Sequence, residues 1–181
     1  MAYSIEEHRH RFASWAAGRG ASVMSNRFKV ETARSILEAA KLNEVARSVS
    51  SLPAAKDFDA AHRKWRKAVI GASKNRGFDF THGVAAKLIN IYLKATFVSA
   101  GHHDNPRVRA IHPPIDSILL DSLYENDVGG LRAEWQRARK LRWSKLGSKQ
   151  YEDVIRAVRQ AVGPGQGLWT IEQYWRGFQS P

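Results

Sequence analysis

The stretch "FTHGVAAKLINIYLKATFV", residues 80–98, constrains the fold more than any other part of the chain. Val84, Leu88, Ile91, Tyr92 and Ala95 fall three or four residues apart, which is the period of an α-helix. Thr81 stands where an N-cap belongs. Nearly every position is apolar, so this helix reads as core, yet Lys87 interrupts it. It is not a bilayer span, because no uncharged run here reaches the roughly 18 residues that a crossing needs. The rest of the chain offers it helices to pack against. Ser4 with Glu7 forms a capping box ahead of a helix with Phe12, Trp15 and Ala16 on one face. A second helix over about 30–42 points Ala33, Ile36, Leu37 and Ala40 inward. Asp59 is placed to cap a helix carrying Ala61, Trp65, Ala68 and Val69, which stops near Gly77. Ile118, Leu119, Leu120 and Leu123 follow Asp116 as another helix, and 131–146 reads as a basic helix with Trp135 and Trp143. A helix over 151–162 precedes "GPGQG", which breaks the chain before a last aromatic segment, "LWTIEQYWRGF". No stretch alternates like a strand, so the expectation is one compact all-α domain over residues 1–181.

Charge narrows the partners. Lys and Arg number 29 against 17 acids, a net charge of +12 over 181 residues. Such an excess calls for a polyanion, with nucleic acid first and a membrane surface second. Cysteine is absent, which excludes disulfides, thiolate metal sites, iron–sulfur clusters and a cysteine nucleophile. The N-terminal "MAYSIEEHRHRF" has no apolar signal core, so a cytoplasmic protein is expected, with no cofactor and no obligate protein partner.

Two charged residues lie in core-like surroundings. Gly83 sits at the mouth of the 80–98 helix, where free backbone N–H groups suit a phosphate and glycine permits close approach. Lys87 lies one turn further in, where burial would favour the neutral amine. Asp116 follows the fixed backbone of Pro113-Pro114 and opens the next helix, flanked by Ile115 and Ile118.

The order "GVAAK…PPID" resembles the helix–hairpin–helix DNA glycosylases, the superfamily of endonuclease III and the 8-oxoguanine DNA glycosylases. His82 stands where that hairpin has proline, Gly83 and Val84 match, and Ala85 replaces the second glycine. Lys87 falls on the catalytic lysine and Asp116 on the catalytic aspartate. Their separation of 29 residues (116 minus 87) is closest to the archaeal 8-oxoguanine enzymes. The resemblance implies a hairpin over about 77–98 and an aspartate segment over about 112–124. It also implies double-stranded DNA as partner and excision of an everted base, either an oxidised purine or a modified base of phage DNA. Asp116 would stabilise the oxocarbenium-like sugar. Lys87 would attack C1′ and add lyase activity, or would stay charged and leave the attack to water.

Other residues fill out the expectation. His82, Gly83 and Ala85 at the hairpin, with Arg137, Arg139, Lys140, Arg142 and Lys145 in the basic helix, are candidate phosphate contacts. Trp15, Trp65, Trp169 and Trp175 are candidate walls of a base pocket. His102, His103, Asp104 and His112 suggest a metal, but adjacent histidines point to different sides and no metal site is expected. Two rival readings are a non-catalytic DNA-binding module and a HEPN-type ribonuclease toxin, the latter from the Arg-x4-His spacing of Arg107 and His112.

Overall fold

The computed structural model describes residues 3–23 and 27–178. The fold is all-α. Among the described residues, nine α-helices make the frame: α1 (Ile5–Ala21), α2 (Val30–Ala39), α3 (Leu42–Val45), α4 (Phe58–Lys74), α5 (His82–Leu93), α6 (Pro106–Arg109), α7 (Ser117–Glu125), α8 (Arg132–Leu141) and α9 (Ser148–Val162). A π-helical stretch, Lys94–His102, prolongs α5, and a 3-10 segment, Leu168–Tyr174, follows α9. Among the described residues, no helix is long and apolar enough to cross a membrane.

Two apolar cores share α5. One gathers α1, α2 and α4 around Leu88, Ile89 and Tyr92. The other gathers α7, α8, α9 and the 3-10 segment around Leu119, Trp135 and Ile155, and Ala86 of α5 belongs to it. Trp143 packs against both cores. α5 is therefore buried on nearly all sides, as its sequence requires.

Three helices depart from the sequence reading. α1 has the expected Ser4 cap, 3.2 Å from the Glu7 N–H, but turns its small residues inward. Ala13, Ala17 and Ala21 are buried, while Phe12 and Trp15 are 56% and 51% exposed. Close packing is the cause. A Cβ on Gly18 would stand 2.9 Å from the Ala33 Cβ, so only small side chains let α1 approach α2. α4 begins at Phe58 without a side-chain cap, and Asp59 is used elsewhere. Its buried stripe is Phe58, His62, Arg66, Val69, Ala72 and Ser73; of the expected face Val69 is buried, Ala61 and Trp65 are half-buried, and Ala68 is exposed. The basic helix ends at Leu141, and Trp143–Lys145 forms a separate 3-10 turn.

Candidate active site

Lys87 and Asp116 meet. The Lys87 ammonium donates to Asp116 Oδ2 at 3.2 Å, across the seam between the cores. Their side chains are 10% and 14% exposed, so the pair is largely shielded from solvent. The Lys87 Nζ also lies 4.3 Å from the centre of the Trp143 ring. Burial pushes the Lys87 amine below the ordinary lysine range, against the pull of Asp116, and nearby Lys94 adds to the depression.

Both oxygens of Asp116 are held. Oδ1 accepts the Leu119 N–H at 2.9 Å, capping α7, and Oδ2 also accepts the Trp175 indole N–H at 3.2 Å. A second ion pair stands beside the first: Lys94, two turns beyond Lys87, binds Glu172 of the 3-10 segment. Burial raises the Glu172 carboxyl above its ordinary range, Lys94 opposes this, and Asp116 adds to the rise. Lys94 begins the π-helical stretch, a backbone form common at functional sites.

A network buried at Asn90, His62, His112 and Tyr151 holds the strap that carries Asp116. The Asn90 side-chain amide donates to the Pro113 carbonyl at 2.9 Å and to the Tyr151 hydroxyl at 3.0 Å. Its Oδ1 lies 2.8 Å from His62 Nε2. The Tyr151 hydroxyl lies 3.0 Å from His112 Nδ1, and His112 Nε2 lies 2.9 Å from Asp59 Oδ1. Arg159 clamps Asp59 with two bonds of 2.6 Å. The chain of donors closes consistently with both histidines neutral and protonated at Nε2. Burial, the first cause in each case, depresses both imidazoles, His62 furthest. Arg159 and His112 hold the Asp59 carboxyl far below the ordinary carboxylate range.

The mouth of α5 is closed by the protein itself. The Gly83 N–H donates to the Leu146 carbonyl at 3.1 Å, and Thr81 Oγ1 accepts the Val84 N–H at 3.2 Å. The same hydroxyl donates to the Ser144 carbonyl at 2.8 Å. Gly83 and Ala85 are buried, and His82 is half-buried. A Cβ at position 83 would fall inside the Trp143 carbonyl oxygen, so this glycine serves a backbone crossing. The expectation that Gly83 opens the helix mouth to a phosphate is therefore corrected.

The remaining candidates divide. Arg139 and Arg142 line a cleft with Ser117 and Trp143, beside the pair. Arg139 is bound to Asp121, whereas Arg142 points to solvent. Arg137 lines a different groove, with Gln150 and Asp153, and Lys140 and Lys145 are exposed. Arg142 has φ +61 and ψ 121, a backbone region that costs an ordinary residue about 1–3 kcal/mol. Of the four tryptophans, only Trp175 touches the pair. Trp15 lies on the α1 surface, Trp65 packs on Phe58, and Trp169 packs against His103. His112, 3% exposed, is locked in the buried network, and Arg107 is tied to the Leu52 carbonyl, so the ribonuclease pattern does not form a site.

Trp143, Lys94 and Glu172 escaped the sequence reading. Trp143 was hidden by continuing the 131–146 helix through it, and Glu172 arrives from 78 residues beyond Lys94 with no local signal. Comparison with family models, curated proteins and solved structures finds no match to this chain.

Proposed function

We propose that the protein is a DNA N-glycosylase of the helix–hairpin–helix kind, which extrudes one nucleotide and breaks its N-glycosidic bond. The observation that carries this reading is the meeting of Lys87 Nζ and Asp116 Oδ2 at 3.2 Å in a shielded seam. As the bond breaks, positive charge grows at C1′, and a carboxylate fixed in advance offsets it without reorganising. Asp116 suits that task, because the α7 cap and the Trp175 indole keep it from rotating. Lys87 is biased toward the neutral amine by burial, and Asp116 is placed to take its proton. Attack by that amine on C1′ would give a Schiff base and lyase activity; a charged Lys87 would leave the attack to water. Arg142, Lys145 and Lys140 would hold the DNA backbone, joined by exposed Lys64 and Lys67 of α4, of which Lys67 acts on His82 at the start of α5. An oxidised purine or a modified base of phage DNA is the substrate class.

The test uses duplexes bearing 8-oxoguanine or modified cytosines, heated with alkali after incubation. Strand breaks at the modified base are expected, absent with Asp116→Asn. Borohydride should trap a covalent adduct that Lys87→Gln does not form. Failure to cleave any such duplex, with DNA binding intact, would leave a non-catalytic DNA-binding module.

A further inference from the structure

Close packing against α2 explains why α1 turns alanine and glycine inward, but not why its outward positions are apolar. Six large hydrophobic side chains are exposed among the described residues, and four of them, Tyr3, Ile5, Phe12 and Trp15, lie on α1 or just before it. We infer that this outward face docks the protein on an anionic phospholipid surface, with Ile5, Phe12 and Trp15 entering the acyl boundary and Arg9, Arg19 and Arg47 binding headgroup phosphates. The inference goes beyond the base-excision reading and stands without it.

Spacing is the first argument. Ile5, Phe12, Trp15 and Arg19 follow one another at intervals that place all four on one side of a helix. The Phe12 and Trp15 rings lie 6.0 Å apart between centres, and both side chains are about half exposed. Exposed apolar residues scattered singly are ordinary, whereas a contiguous patch marks an interaction site.

Charge is the second argument. Arg9 stands one turn from both Ile5 and Phe12, and with Arg47 it lines a cavity of about 550 Å³ beside the row. Arg9, Arg19 and Arg47 are exposed and make no hydrogen bond or ion pair among the described residues. Of the acids lining that cavity, Glu7 is bound by Arg11 and Arg34, which leaves Glu6 to face Arg9 and Arg47. An apolar row rimmed by unengaged cations suits a helix lying in the plane of a lipid interface, where apolar burial and attraction to anionic headgroups add.

Other occupants fit less well. Two-fold pairing with a second copy would set Arg9 and Arg19 against a chain that also carries +12. The four exposed side chains offer roughly 400 Å², against about 800 Å² per partner in a standard protein interface. Nucleic acid would engage the arginines and the rings, but it gives the aliphatic Ile5 nothing to bury in.

The test is sedimentation of the full chain with vesicles of phosphatidylcholine alone, or of equal parts phosphatidylcholine and phosphatidylglycerol. Binding to the anionic vesicles should be at least about tenfold tighter. A Phe12→Ser/Trp15→Ser double variant should lose at least about tenfold of that affinity yet melt like the parent, since both side chains are exposed. Arg9→Gln with Arg47→Gln should lose about tenfold, whereas removing two exposed charges elsewhere, Lys56→Gln with Lys74→Gln, should matter much less. Acyl chains brominated near the headgroup should quench part of the tryptophan emission, and Trp15→Phe should lose most of that quenching while staying bound.

Equal binding to both vesicles, or quenching that survives Trp15→Phe, would overturn the docking. Parent-like binding by the double serine variant would also overturn it, leaving adsorption by net charge alone. A parent that ignores vesicles but sediments as a dimer, with the serine variant monomeric, would assign the face to a second copy. Loss of single-stranded oligonucleotide binding in the serine variant, with no vesicle binding in the parent, would assign it to nucleic acid. A wild type that excises no base yet meets every vesicle expectation would sink the glycosylase reading and leave the docking in place.

Discussion

Two polar clusters hang from α5 less than one turn apart, and they are built in opposite ways. At Asn90 the side chain meets His62, Pro113 and Tyr151, all buried, and every polar atom of the amide is used. At Lys87 an amine with three donors hydrogen-bonds one residue and faces an aromatic ring. The first cluster spends its bonding capacity on the fold, fixing Pro113 and hence the approach to Asp116. The second keeps capacity in reserve. A shielded pair with spare donors is suited to a ligand; a fully bonded amide such as that of Asn90 is suited to holding the chain still.

The largest expected effect falls on the open cluster. Under the proposed base excision, Asp116→Asn should slow the reaction about 10²–10³-fold in single-turnover assays, the scale for one transition-state electrostatic contact. Asparagine keeps the α7 cap, so any loss of stability should come from stranding the shielded Lys87 charge and should be recovered when Lys87→Met is added, read as the urea midpoint. A loss that the double variant does not recover would mean that both clusters are structural.

Asn90→Ala should show the opposite profile. It strands the Pro113 carbonyl, His62 and Tyr151, and leaves a void, at a cost of about 2–4 kcal/mol in urea denaturation. Next in size is the response to acid. His62 and His112 have depressed folded-state values, so the unfolded chain binds protons first as pH falls. Their contribution is complete above about pH 6.5 and erodes below it toward the folded-state values, by up to about 1.4 kcal/mol per pH unit for each histidine. Asp59, also depressed, adds its own loss only below about pH 4, where its unfolded form protonates. A flat melting profile between pH 8 and 5 would show that the two imidazoles are not kept from solvent. The smallest effect belongs to a pair in neither cluster. Removing Lys149 from Asp153, an exposed contact at 2.9 Å, should cost less than about 0.5 kcal/mol.

The sequence made some of this legible and hid the rest for physical reasons. α2, α5 and α7 announce themselves by apolar spacing, and Thr81 and Asp116 cap as their residue types suggest. α1 misled because its buried face is alanine and glycine, whose value lies in how closely a neighbour approaches. α4 misled because His62 and Arg66 are buried polar groups whose partners come from α5 and α9, far along the chain. The break at Arg142 carries no glycine or proline, so nothing local marks it. The pairing of Lys87 with Asp116 was expected from motif order, while Trp143, Trp175 and Glu172 reach the same place through tertiary packing alone.

Where Gly83 meets the Trp143–Leu146 turn, main chain rests on main chain. Spacing between the two halves is thus gauged by atoms that every residue type shares. A single methyl group at position 83 would act as a shim, lifting the indole off the amine it covers. The alignment of Lys87 with Trp143 is consequently most vulnerable at a residue with no chemistry of its own.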